Sequence, residues 1–137
     1  MQKLPKKVNG PMKVLFCGKH FPWAMRLTRE ELAAHPSIQC SDCEPSQLEQ
    51  SIADAHVVLP FMTRLDEAII GKGRELRCVL QYGVGLEGVD IPACTRKGIF
   101  VSNIPSTDCG NAEATAEHAV YLMLAALRQQ AAAQATL

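Results

Sequence analysis

Apolar and polar positions along this chain fall into two alternating patterns, compact apolar runs and segments with apolar residues three or four apart. "KVLFCG" (13–18) is a short apolar run closed by glycine, which predicts a buried strand. "MRLTREELAAH" (25–35) sets Leu27, Glu31 and Leu32 at helical spacing, with Pro36 as a stop. "SIQC" (37–40) reads as a short strand. In "EPSQLEQSIADA" (44–55), Leu48, Ile52 and Ala55 share a helical face, and Ser46 with Glu49 three residues on matches a capping box. "HVVLP" (56–60) is a β-branched run ended by proline. "RLDEAIIGKG" (64–73) predicts a short helix closed by Gly71 or Gly73. "LRCVLQY" (76–82) has the features of a central strand. "IPACTRKG" (91–98) is a short helix with Pro92 in its first turn, and "IFVSN" (99–103) is another strand. From Asn111 a long helix begins, with Ala116, Val120, Met123, Leu124 and Leu127 on one stripe.

Apolar strands alternating with helices predict an α/β fold, a flavodoxin-like parallel sheet of about five strands with helices on both faces. The expected organisation is a disordered leader at 1–11, an α/β domain at 12–110 and a terminal helix at 111–137. The last stretch, "RQQAAAQATL", carries neither a helix stop nor a strand pattern.

Composition narrows the functional classes. With 137 residues, 47% of them hydrophobic and 20% charged, the chain can build a real core. Lys+Arg and Asp+Glu both number 14, so the charge balance points to neither nucleic acid nor an anionic membrane. No apolar run has membrane-span length. "MQKLPKKVNGPM" lacks the apolar stretch of a secretory signal. The six cysteines are therefore expected as free thiols in a reducing compartment, the cytosol by default or an organelle with its own import route.

Gly83, Gly85 and Gly88 in "VLQYGVGLEGVD" spell G-x-G-x-x-G, the dinucleotide fingerprint. That chemistry requires a long helix whose first amides hold the pyrophosphate. Pro92 falls four residues after Gly88, and the segment before Gly98 is short for a crossover helix. The acidic residue at ribose spacing, Asp108, lies in a loop and not at a strand end. Cofactor binding by this motif is disfavoured, which leaves two readings open. Either the glycines only let the chain reverse, or their amides form a nest for an anion such as a carboxylate.

The segment "LQYGVGLEGVDIPACTRKGIFVSNIP", followed by "GNAEATAEHAVYLMLAALR", resembles the D-isomer-specific 2-hydroxyacid dehydrogenases, the family of phosphoglycerate, glycerate and formate dehydrogenases. The shared elements are G-V-G-x-x-x-V-D, the short helix ending in R-K-G, the strand to an N-x-P turn, and G-N-x-x-x-x-A-E-H opening a helix. The resemblance implies the first part of the family's substrate domain, with the helix from Asn111 as a hinge toward a nicotinamide-binding Rossmann domain. It implies NAD as cofactor, a small 2-hydroxy or 2-oxo acid as substrate, and allows a homodimer. It places Gly83, Val84 and Gly85 at the substrate carboxylate and Asn111 beside the active site. Gln81 stands where many relatives have arginine, and Ala114 where many have serine. The family's catalytic Arg, Glu and His lie beyond the hinge, so neither catalytic nor cofactor-binding residues are expected within 1–137. The implied function is the substrate-binding part of an NAD-dependent dehydrogenase, inactive alone; the alternative is a non-catalytic interaction or regulatory domain. Gly85→Ala is expected to cost about 1–3 kcal/mol of acid binding, on the premise that the turn needs an open backbone.

The remaining constellations predict no metal site. "CSDC" (40–43) is a C-x-x-C without a second pair, read as loop thiols near a strand end. His118 points about 100° from Glu117 on the same helix and is read as structural. His20, His35 and His56 stand alone. The Val120–Leu127 stripe reads as core-facing, or as exposed where its partner domain is lacking.

Overall fold

The computed structural model describes residues 10–107 and 109–135. Residues 1–9 of the expected leader, and Asp108, lie outside them. The chain divides into two units, one ending at Ile104 and one beginning at Pro105.

The first unit holds five parallel strands: β1 (Met12–Cys17), β2 (Ile38–Cys43), β3 (Val57–Leu59), β4 (Cys78–Gln81) and β5 (Phe100–Asn103). Their order is β2-β1-β3-β4-β5, the flavodoxin-like doubly wound arrangement. Registers such as Phe16↔Leu59 and Gln81↔Asn103 align the carboxyl ends of β1, β3, β4 and β5 along one edge. Helices connect them: α1 (Pro22–Leu32), α2 (Leu48–Ser51), α3 (Glu67–Lys72) and α4 (Ile91–Lys97).

Alternation along β1 explains why both faces are covered. Leu15 and Cys17 join Val58, Val79, Leu48, Ile70 and Cys94 in one core, facing α2, α3 and α4. Val14 and Phe16 join Met25 of α1, with Leu59 and Phe61, in the other. A strand buried on both sides has no polar alternation, which is why β1 and β3 read as continuous apolar runs.

Local caps set several boundaries differently from the sequence reading. Helix α1 starts at Pro22, earlier than 25, because proline's fixed φ suits a first helical position. The 44–55 segment is a 3-10 turn (Pro45–Gln47), α2, and a second 3-10 turn (Ile52–Asp54). Its capping pair is Glu44 with Gln47, whose Oε1 accepts the Glu44 amide at 3.3 Å, and not Ser46 with Glu49. Asp66 caps α3 by accepting the Ile69 amide at 2.9 Å, so that helix begins at Glu67. Gly98 closes α4 in the left-handed region, at φ 69°.

"CSDC" lies within strand β2 and not in a loop. Pleating sends its two thiols to opposite faces: Cys40 packs beside the α1-side core and Cys43 belongs to the other. The pair is thus split by the sheet. Cys43 is instead the in-register neighbour of Cys17 on β1. Burial, and contact with Cys43, push the Cys17 thiol far above its usual range; burial also raises Cys43. All six cysteines are free.

The second unit contains α5 (Asn111–Leu127) and α6 (Gln130–Gln134). The single helix expected from Asn111 onward is interrupted at Gln129, whose φ of 49° is left-handed. Val120, Met123, Leu124 and Leu127 are more than half exposed, so this stripe is not core-facing. His118 stacks on Tyr121, ring centroids 5.8 Å apart. Among the described residues, no helix is long and apolar enough to cross a membrane.

Candidate functional site

In a doubly wound sheet, ligands sit beyond the carboxyl ends of the strands. Gly83, Val84 and Gly85 follow β4 at that edge. Two tethers hold them, both through carbonyl oxygens. The Ile104 amide donates to Gly83 O at 3.1 Å, and Asn103 Nδ2 donates to Val84 O at 2.7 Å. Neither Gly83 nor Gly85 has a positive φ, unlike Gly18, Gly98 and Gly110. The turn therefore does not rely on left-handed glycine, nor on the right- and left-handed alternation of a nest. The groups of the turn that its neighbours engage are the Gly83 and Val84 carbonyls. Among the described hydrogen bonds, none uses the amide of Gly83, Val84 or Gly85 as donor.

A cleft of about 220 Å³ opens beside the turn, lined by Phe61, Met62, Thr63, Gln81, Gly85 and Glu87 among others. Its β3 side is fixed by Phe61, a non-glycine residue held at φ 52°. Such a conformation costs on the order of 1–3 kcal/mol and persists only where packing enforces it. Here Phe61 stacks on Phe16 at 6.1 Å and takes the edge of Tyr82 at 5.8 Å. Its carbonyl accepts from Gln81 Nε2 at 2.9 Å, tying the loop after β3 to the end of β4. Thr63 Oγ1 donates to Cys17 O at 3.4 Å. The Tyr82 hydroxyl shares a 2.6 Å hydrogen bond with Thr28 on α1.

Asn111 is the first helical residue of α5, after Gly110 as N-cap. It lies in the second unit and is exposed; its carbonyl accepts from Thr115 Oγ1 at 2.7 Å. The structure thus brings Gly83, Val84 and Gly85 together, and Asn111 stands in its own unit. Sequence reasoning missed Asn103, Phe61 and Glu87. Asn103 had a signal, since it ends a strand as the asparagine of the N-x-P turn. Phe61 had none, because nothing in "LPFMT" marks a left-handed phenylalanine.

No group of three or more His, Cys, Asp and Glu among the described residues is arranged to hold a metal ion. His56 is buried, and its Nδ1 accepts the Lys13 amide at 3.1 Å, a structural bond at the start of β1.

A 2-1-3-4-5 parallel sheet with helices on both faces defines a flavodoxin-like α/β domain. The chain belongs to the D-isomer-specific 2-hydroxyacid dehydrogenase family, matching its catalytic domain over residues 14–136. D-3-phosphoglycerate dehydrogenase of Archaeoglobus fulgidus is 41% identical over 73 residues, covering 53% of this chain and 13% of that protein. Glyoxylate reductase of Pyrococcus furiosus is 32% identical over 83 residues, covering 60% of this chain and 24% of that one. The crystal structure of NAD+-bound 3-phosphoglycerate dehydrogenase from Entamoeba histolytica superposes with a TM-score of 0.62 at 23% identity. That match covers 69% of this chain and 33% of the other. The matched region is thus a small part of each relative's length. NAD is the family's cofactor, and its substrates are 2-hydroxy and 2-oxo acids.

The described residues do not fit the dinucleotide at the G-x-G-x-x-G spelling. The helix after Gly88 begins only at Ile91 and has seven residues. Its N-terminus already holds an anion, because Asp90 Oδ1 accepts the Ala93 amide at 2.9 Å. A pyrophosphate there would meet a carboxylate instead of free amides.

Proposed function

We propose that this chain is the substrate-binding part of an NAD-dependent D-2-hydroxyacid dehydrogenase and holds the carboxylate of a small 2-hydroxy or 2-oxo acid. The observation that carries this reading is the turn at 83–85, whose Gly83 and Val84 carbonyls accept hydrogen bonds while none of its three amides donates one among the described hydrogen bonds. A carboxylate is the natural acceptor for such amides, and charge-assisted bonds of this kind are the stronger ones. In this role the chain orients the acid. Hydride transfer also needs a nicotinamide, a proton donor and a cation to polarise the reacting oxygen.

A titration of 15N-labelled chain with D-glycerate, followed by amide NMR, tests the reading. The Gly83, Val84 and Gly85 signals should move, with an affinity on the order of millimolar. NAD+ should leave them in place, and the chain alone should not oxidise NADH with glyoxylate. Movement of these amides with NAD+ but not with the acid would reverse the assignment.

A second reading is favoured by α5, whose Val120, Met123, Leu124 and Leu127 are exposed. A non-catalytic interaction domain would use that surface, and its turn amides would ignore glycerate in the same titration.

A further inference from the structure

Cys17 and Cys43 play no part in the site at the 83–85 turn. They are the last residues of β1 and β2 and partners in register, and both side chains fall in the same core. Paired strands run about 4.8 Å apart, inside the Cα separation of about 4.4–6.8 Å that a disulfide spans. Within a ladder, paired residues on either side would resist the closer approach of the Cβ atoms that the bond requires. Here the strands end: Gly18 follows Cys17 at φ 79°, and β2 is an edge strand with a partner on one side only. The thiols already meet through a hydrogen bond, and Cys43 takes a second from the Ser51 side chain. Cys43 is also the more reachable of the two, 6% exposed against 0% for Cys17. Cys40, its C-x-x-C neighbour, packs on the other face of the sheet.

We propose that Cys17 and Cys43 form a reversible disulfide latch between β1 and β2 when the chain meets a peroxide. Cys43 Sγ attacks one peroxide oxygen and the O–O bond breaks. The other oxygen leaves as water with the thiol proton, and Cys43 becomes a sulfenic acid. Cys17 Sγ then attacks that sulfur. The S–S bond forms, the S–O bond breaks, and the hydroxide leaves with the Cys17 proton as a second water. Two thiols lose two electrons and two protons, and one peroxide becomes two waters. A dithiol reductant reverses the change by exchange. Burial holds both thiols protonated, which makes the first step slow, so exposed Cys109 reacts before the pair does. Both cysteines belong to the first unit, and the reaction needs no residue from outside it.

The test treats the folded chain, freed of reductant, with hydrogen peroxide, then denatures, alkylates and maps its peptides by mass without reduction. Peptides carrying Cys17 and Cys43 should appear joined, two hydrogens lighter than their sum, and dithiothreitol should separate them. Dimedone, which traps sulfenic acid, should label Cys43 little in the native chain and severalfold more in Cys17→Ala, where the resolving thiol is gone. Circular dichroism should show the fold intact throughout. Cys43 joined instead to another cysteine, oxidation that stops at Cys109, or a Cys17–Cys43 bond that forms only in urea would each overturn the proposal. Loss of the fold before the bond appears would do the same, as would equal dimedone labelling of Cys43 with and without Cys17. If Cys17→Ala does not fold, the peptide map of the native chain decides alone.

Discussion

Asn103→Ala tests whether the turn at 83–85 is held by its carbonyls. The substitution deletes the Nδ2 donor that sits 2.7 Å from Val84 O and leaves the second tether, Ile104 N to Gly83 O, in place. A neutral hydrogen bond contributes about 0.5–1.5 kcal/mol net. Val84 is 45% exposed, so water can reach its freed carbonyl, and the lower half of that range applies. A loss of about 1 kcal/mol in a domain of this size lowers Tm by roughly 4–8 °C, so a drop of a few degrees is expected by thermal denaturation. The effect on the site should be distinct from the effect on stability. With one tether gone, the Val84 peptide can rotate, and its neighbouring amides lose their preset direction. Glycerate affinity at those amides should then fall about threefold, or roughly 0.6 kcal/mol. Asn103→Asp should do worse on both counts, since a carboxylate would face the Val84 carbonyl and repel the incoming acid. Unchanged affinity in Asn103→Ala, with Tm lowered as expected, would refute the claim that carbonyl capture orients the amides.

Three other outcomes follow from particular residues. Gly98→Ala should lower stability by about 1 kcal/mol from backbone strain alone, because Gly98 sits at φ 69° with nothing within 4 Å of an added Cβ. Gly85→Ala, by contrast, should leave Tm nearly unchanged in the same denaturation series: its φ is not positive, and the obstructing Glu87 carboxylate is the free end of an exposed side chain. Asp90→Ala should cost about 1 kcal/mol by removing the cap on the Ala93 amide. The thiol readout is pH-dependent. Folding holds Cys17 and Cys43 protonated above the ordinary 9.0, so the native state binds more protons than the unfolded chain above that pH. Stability should be constant with respect to these thiols below pH 9 and fall as pH rises past it, as read by chemical denaturation. Thiol reagents should label exposed Cys109 before Cys17 or Cys43, and label all six only after denaturation.

The strands were legible because burial on both faces writes itself as uninterrupted apolar sequence, as in "KVLFCG" and "HVVLP". β2 was less so. As an edge strand, its positions are mostly half-buried or exposed, and "CSDC" suggested thiol chemistry where the chain was only pleating. Helix α1 hid its start because Phe21 and Trp23 are large, apolar and exposed, which blurs an amphipathic pattern. Glu44 and Gln47 cap the next segment from outside the Ser46–Glu49 spelling, since Pro45 takes the first helical position and shifts the frame by two residues. The break at Gln129 had no signal at all: a run of Ala and Gln favours helix throughout. For the candidate site, the sequence singled out the 83–85 turn, which the fold places after β4, but it gave a reason for the glycines that their backbone does not bear out. The premise that Gly85 needs an open backbone is not met.

That difference bears on how a glycine motif is to be read. In a dinucleotide fingerprint the glycines serve a helix, giving it a close approach to phosphate and leaving its first amides free. Here the same spacing precedes a helix whose first turn is already capped by Asp90. The residues that decide the chemistry lie outside the motif. Asn103 and Ile104, from the next strand and the loop after it, take the carbonyls of the turn. Asp90, two residues past the last glycine, closes the helix to anions. Exchanging Asp90 for serine would keep a cap and remove the charge, yet the helix would still have seven residues and Pro92 in its first turn, so no phosphate site would appear. Removing Asn103, at the end of the next strand, should loosen the turn although no glycine is touched. What this turn can present is therefore set by which backbone groups its neighbours consume, and glycine spacing only makes the chain able to form it.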